Sequence, residues 1–357
     1  VYYFCFVIFR GPCFTAIWSV CVLLAYGRRG VQPQVGVPAV QGISAAEALD
    51  ARLSGIEKRL DAALERLSRV TVLERRLEEA IPYFATRSER LVGSQSIYLG
   101  EHTAVTFLRN GLRMLVDTRS LDVGIHLLTL GEWEQTDMAI FARLLQPGDK
   151  VLDIGANHGV YALHAALAVG PRGQVHAFEP NPRLAWLSDF SLKINGFGDY
   201  ATLHQIGASD ASGIGRLFFS DALSGSGAIL PARLSPNDHE VTCRLEALDN
   251  VFPDPSFTVD VIKMDIEGFE GLALRGMRQL LARSPQVKMM MEYAPEWIAR
   301  AGYAPEVIFE ELEALGLKIW IMSDAGRLQA ITPQALRASA KPIQNILLAR
   351  EVPRAFL

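Results

Sequence analysis

From Lys150 to Arg350 the sequence alternates short, nearly unbroken apolar runs with stretches of helical period. "KVLDIG" and "GVYALHAALAVG" lead to "GQVHAFEP" and "PRLAWLSDFSLKINGF", then "TLHQIGAS". "VDVIKMD", "EGLALRGMRQLLARS", "QVKMMMEY" and "PEVIFEELEALG" continue the series, and "LKIWIMS" and "NILLAR" close it. Strands that are apolar on both faces and separated by helices predict an α/β fold, a mostly parallel sheet covered on both sides. Ligands of such sheets bind beyond the carboxyl ends of the strands, where the winding reverses. Asp153 to Gly159, "DIGANHG", stands at such an end.

That turn is glycine-rich, which first suggests a dinucleotide. Dinucleotide turns use G-x-G-x-x-G and lay a pyrophosphate on the helix N-terminus. Here Gly155 and Gly159 are spaced G-x-x-x-G, and Asn157 stands where the middle glycine would be. A carboxylate at Asp153 would repel pyrophosphate in a poorly screened cleft. The same charge attracts a ligand carrying an ammonium and a sulfonium, as S-adenosylmethionine does. Glu179 ends the next strand at the distance where an acid accepts two ribose hydroxyls. The turn and Glu179 together point to a bound nucleoside.

Around this core the chain is less committed. A net charge of −4 among 357 residues leaves no basic footprint, so nucleic acid is not the expected partner. Four cysteines show neither a disulfide framework nor zinc spacing, and a reducing cytoplasm is the default. The divisions expected are 1–43, an apolar start and linker; 44–82, a helix; 83–148, lead-in strands and helix; and 149–357, the sheet domain. Residues 1–26 hold two apolar runs split by Arg10, Gly11 and Pro12. Joined, they would contact or span a membrane, with Arg28 and Arg29 on the cytoplasmic face; the break and the length argue more for no anchor. Leu49, Leu53, Ile56, Leu60, Ala63, Leu67, Val70, Glu74, Leu77 and Ile81 step by fours and threes. This heptad seam, flawed at Glu74 and stopped by Pro82, predicts a coiled coil and a homo-oligomer; one amphipathic helix lying on the main domain is the alternative. "IYLG", "TAVTFLR" and "LRMLVD" predict strands with a turn at Asn110-Gly111, and "EQTDMAIFARLLQPGD" a helix.

"VLDIGANHGVYALHAA", "VHAFEPNP", "VDVIKMDIEGFEGLALRGM" and "MMMEY", in this order, resemble the FkbM-type methyltransferases, a branch of the class I S-adenosylmethionine-dependent enzymes. The resemblance runs from about Leu99 to Arg350. It implies a Rossmann-like seven-stranded sheet with an antiparallel last strand, "LKIWIMS" and "NILLAR" forming its hairpin. It also implies methylation of hydroxyls on glycans or secondary metabolites. Carried onto this sequence, it places Asp153, Gly155, Ala156, Asn157 and Gly159 around the methionine half of the cofactor. Glu179 takes the ribose, Pro180 and Asn181 shape the adenosine side, and Ser209 and Asp210 lie at the adenine edge. His158 departs from the expected small or aromatic residue and reads as a helix-start residue with a solvent or backbone partner.

"KMDIEGFE" ends the strand expected beside the first, so Asp265 and Glu267 are the candidate catalytic carboxylates, one serving as base for an acceptor hydroxyl. Mg²⁺ or Ca²⁺ held with Glu292 is the alternative, and the metal-free route is preferred because no dense oxygen cage is visible. Glu270 is expected to support the next helix, and Lys263 to point away from the cleft or pair with a charge. Residues 218–240 read as a long glycine- and serine-rich loop forming a lid or substrate wall. His126, Trp133 and Glu134 are candidates to cover the cofactor from the lead-in, and Tyr293 and Trp297 to stack on a sugar or to edge the core. Two other functions fit a similar sheet: a nicotinamide oxidoreductase, and a coiled-coil assembly protein whose domain only binds nucleoside.

Overall fold

The computed structural model describes residues 96–230, 238–322, 328–339 and 343–353, residues 235 and 356, and, in the preceding segment, 53–56, 58–61, 64 and 70. Contacts divide the chain into residues 1–90 and 91–357. In the first unit the described residues are helical, and Leu53, Ile56, Leu60 and Leu64 are exposed. The rest of the expected heptad helix, the linker and the apolar start lie outside the described residues. No helix among the described residues is long and apolar enough to cross a membrane.

The second unit opens with an antiparallel sheet of β1 (Ile97–Gly100), β2 (Thr103–Phe107) and β3 (Arg113–Asp117), as the lead-in pattern predicts. Helices Val123–Leu130 and Gln135–Leu144 follow; the first has no counterpart in the sequence expectations. β4 (Lys150–Ile154), β5 (Gln174–Phe178) and β6 (Ala201–His204) then build the main sheet outward in one direction, in parallel. A second sheet of β7 (Gly207–Ala208), β8 (Gly213–Ser220), β9 (Leu223–Ile229) and β10 (His239–Glu246) branches off. The chain returns as β11 (Val261–Met264) on the other side of β4, and β12 (Lys288–Tyr293) beside it, both parallel. β13 (Lys318–Met322), β14 (Leu328–Ile331) and β15 (Gln344–Ala349) complete it antiparallel.

The main sheet therefore has eight strands in the order β14-β13-β15-β12-β11-β4-β5-β6, not the expected seven. The addition is β14, "LQAI", a half-exposed edge strand without an apolar run to announce it. The two halves of the winding diverge between β4 and β11. The crevice beyond their carboxyl ends is the switch point where such sheets bind ligands.

Strand alternation divides the core. Val151 and Val261 pack on one face with the helix Val160–Val169. Leu152, Ile154, Ile262 and Met264 pack on the other. Asp153 pairs in register with Lys263, so both lie on the Val151 face, under that helix. Residues two apart on a strand share a face, hence Lys263 turns to the same side as Asp265. The expectation that Lys263 points away from the cleft is corrected.

Residues 218–240 also differ from expectation. They are not one long loop: β8 and β9 form a hairpin with Leu217 opposite Ile229 and Phe218 opposite Ala228.

Candidate functional site

A cleft opens over the carboxyl ends of β4, β5 and β11, walled by the lead-in on one side and β9 on another. Its floor is the turn after β4. The N–H groups of Gly155 and Ala156 both donate to the Phe178 carbonyl at 2.9 Å, which fastens the turn to the end of β5. Gly155 has φ +84°, and a Cβ there would lie 1.8 Å from the Asp265 carbonyl oxygen. Only glycine allows β4 and β11 to approach so closely at this level.

Glu179 anchors the next corner. One carboxylate oxygen accepts the Asn157 N–H and the other the Asn181 N–H, each at 2.8 Å. Each oxygen keeps acceptor capacity, and the residue lines the cleft. Burial pushes its carboxyl up to about 7. Asn181 caps the helix Pro182–Ile194, its side chain accepting from Arg183 and Leu184. Asn157 sits at φ +51° and donates its side-chain amide to the Ser224 carbonyl at 2.8 Å, tying the turn to β9.

Asp153 lies below this turn, 1% exposed. Its Oδ2 is buried without a partner, and burial pushes its carboxyl up to about 7 against the pull of the Lys263 charge. His158 is fully buried. Its Nε2 accepts the Asp117 N–H at 3.3 Å and its Nδ1 meets Asn157 Oδ1 at 2.5 Å. Burial holds it near 4 and therefore neutral. It braces the turn through the backbone of β3.

The structure sets most of the sequence-chosen residues on one wall. Asp153, Gly155, Ala156, Asn157, Glu179, Pro180, Asn181, Asp265 and Glu267 all line the cleft. Three do not. Gly159 faces away, packed on Ser188. Ser209 is buried with its N–H on the Glu246 carbonyl, and Asp210 is exposed. The chain reaches the cleft just before them, at Ile206, Gly207 and Ala208.

At the other end, carboxylates converge. Asp265, Glu267 and Glu292 each offer an oxygen within 4.8 Å of the others. Lys263 Nζ reaches Asp265 Oδ2 at 3.1 Å and is itself buried. Glu267, at φ +52°, has its carboxyl pushed up to about 9 by burial and then by Asp265, Glu292 and Glu270. Glu292 is pushed up to about 8 by burial and by Asp265. Glu270 lies apart from the chemistry: it starts the helix Glu270–Gly276 and accepts N–H groups of Ile266 and Gly268.

Among the candidate acceptor residues, Trp133 and Glu134 line the cleft and His126 does not; it meets Trp133 edge-on at 5.5 Å. Tyr293 is buried against Phe309, and Trp297 packs with the Phe269 cluster, so both belong to the core. Sequence reasoning missed Tyr161 and Phe269 and turned Lys263 away, all of which line the cleft; Ser224, Gly225 and Ile229 of β9 line it from within the segment expected to form a wall, though as a strand and not a loop. The alternating "LSGSGAI" was the available signal for β9.

This arrangement suits a nucleoside bearing positive charge. Glu179 keeps acceptor capacity toward the cleft, Asp153 keeps an unpartnered oxygen, and Lys263 is the sole Lys or Arg lining it among the described residues. A pyrophosphate would find carboxylates where it needs cations.

Residues 153–319 match the family described as the methyltransferase FkbM domain. Similar solved structures include methyltransferase FkbM from Methylobacillus flagellatus, 15% identical over 59% of this chain and 50% of that one, TM-score 0.35. A SAM-dependent O-methyltransferase from Thermotoga maritima is 12% identical, covering 73% of this chain and 86% of that one, TM-score 0.36. An O-methyltransferase from Bacillus cereus in complex with SAH is 13% identical, covering 61% and 82%, TM-score 0.36. The chain spans about half the length of the Methylobacillus protein. No curated protein matches it.

Proposed function

From the match of residues 153–319 to the FkbM methyltransferase domain, we propose that this chain is an S-adenosylmethionine-dependent enzyme that methylates a hydroxyl oxygen on a glycan or secondary metabolite. The observation that carries this reading is Asp265, a carboxylate at the rim of the switch point with 29% of its side chain exposed and a buried ammonium 3.1 Å behind it.

When bound, S-adenosylmethionine supplies a methyl group activated on a sulfonium. Glu179 holds the ribose hydroxyls, and the turn from Gly155 to Asn157 cradles the methionine half. Asp265 takes the proton that leaves the acceptor hydroxyl as its oxygen gains the methyl carbon. Lys263 fixes the direction of that carboxylate and offsets the charge of its neighbours. Glu267, protonated at neutral pH, donates a hydrogen bond to the acceptor. Ile266 and Phe269 line this end of the cleft and exclude water.

In this reading the carboxylate cluster works with Lys263, which pairs with Asp265 and whose charge also acts on Glu267 and Glu292.

The test is transfer of labelled methyl from S-adenosylmethionine into glycan extracts and hydroxylated metabolites. The wild type is expected to label a base-stable ether, while Asp265→Asn keeps S-adenosylhomocysteine affinity and loses turnover about 100-fold or more. Label appearing only on nitrogen or carbon, or an Asp265→Asn enzyme of full activity, would overturn the assignment.

A further inference from the structure

Between the helices Val123–Leu130 and Gln135–Leu144 the lead-in sets a carboxylate where neither helix uses it. Glu134 has φ 44° and ψ 54°, left-handed for a residue other than glycine, and its side chain makes no cap bond to the helix it precedes. Such a backbone costs on the order of 1 kcal/mol and persists where its surroundings dictate it. The side chain turns into the cleft and accepts the Tyr161 hydroxyl at 2.7 Å. Glu132, two residues earlier, instead pairs on the surface with Arg109 at 2.8 Å.

Glu134 faces a cation. Lys263 Nζ lies 5.0 Å from the Tyr161 ring centre, and its charge acts on Glu134 together with that of Asp265. Glu179, at the ribose corner, feels Asp153 instead. The two carboxylates thus serve different ends of the cleft. Lys263 is buried and engaged with Asp265, so on the lead-in side it is the Glu134 carboxylate that is open to a ligand's ammonium. Asp153, the sequence's choice for the cofactor's ammonium, is 1% exposed beneath the turn, whereas Glu134 is only half-buried on the cleft wall.

We propose that Glu134, supplied by a segment ahead of the matched FkbM domain, binds the α-ammonium of the cofactor's methionine tail. This rests on the chain using S-adenosylmethionine. It makes the lead-in part of the cofactor site.

Two ligands separate the tail from the nucleoside. S-adenosylhomocysteine carries the amino-acid tail, and 5′-methylthioadenosine carries the same nucleoside and sulfur without it. In calorimetry on the full chain, Glu134→Gln is expected to weaken S-adenosylhomocysteine about tenfold or more and to leave 5′-methylthioadenosine unchanged. Tyr161→Phe, which keeps the Glu134 charge, is expected to hold most of the S-adenosylhomocysteine affinity. Equal loss for both ligands in Glu134→Gln, no loss for either, or the same loss in Tyr161→Phe would overturn the assignment. A wild type that binds neither ligand would remove the cofactor reading itself, and this proposal with it.

Discussion

Replacing Glu267 by Gln should stabilise the protein, and only at neutral pH. The Glu267 carboxyl rises from an ordinary 4.5 to about 9, mainly by burial, and its Oε2 is buried without a partner. A group that binds its proton more tightly when folded contributes most stability at low pH and loses it as pH rises toward the folded value. Between 4.5 and 7 the folded carboxyl keeps a proton that the unfolded one releases. At 1.36 kcal/mol per pH unit, that costs roughly 3 kcal/mol at pH 7. Because the folded value lies well above 7, the cost depends on the unfolded value and the pH rather than on how far burial goes. Gln keeps the shape and has no proton to hold. Urea unfolding of wild type and variant at pH 5 and pH 7 should show a gap in the variant's favour that is about 2–3 kcal/mol larger at pH 7. A gap that is the same at both would show that Glu267 is ionised in the fold, and the proposed donor role would fall with it.

Other outcomes are expected elsewhere. Gly155→Ala should cost about 3 kcal/mol or more in thermal or urea unfolding, since the new Cβ lies 1.8 Å from a backbone oxygen at φ +84°; a normal melting curve would contradict the close approach of β4 and β11. Methyl transfer should be unchanged after exhaustive chelation, and activity restored by added Mg²⁺ or Ca²⁺ would replace the proton account of Asp265, Glu267 and Glu292 with a metal one. Leu53→Lys with Leu60→Lys, both on exposed helical positions, should lower the mass seen by light scattering if the heptad seam joins chains; an unchanged mass would end the coiled-coil proposal.

The sheet was legible because its signal is local. Runs such as "KVLDI" and "VIKM" are buried on both faces, and apolar continuity is what double burial writes into a sequence. Asp153, Gly155, Glu179 and Asp265 could be found for the same reason: Asp153 stands near the end of such a run and the other three just past one. What escaped depends on distant partners. β9 is poor in large apolar side chains, and its place is set by Asp122, which accepts the N–H groups of Ser224 and Gly225 from a hundred residues away. Glu134 accepts the Tyr161 hydroxyl, 27 residues further along the chain, in the same way. Lys263 is a different case. Its parity with Asp265 was readable, but it was expected to point away from the cleft; the charge pairing also expected is made with Asp265. Ser209 and Asp210 were placed one step too far because the strand after Glu179 breaks at Gln205, so the cleft is met at Ile206 to Ala208.

The acid-lined cleft at the switch point is proposed to hold the S-adenosyl cofactor, gripped by Glu179. Titration calorimetry of the wild type and Glu179→Gln with S-adenosylhomocysteine and with NAD tests it most directly. One S-adenosylhomocysteine per chain is predicted, weakened about tenfold or more by the substitution, with no heat from NAD. Binding of NAD in its place, or S-adenosylhomocysteine binding that ignores Glu179, would contradict it.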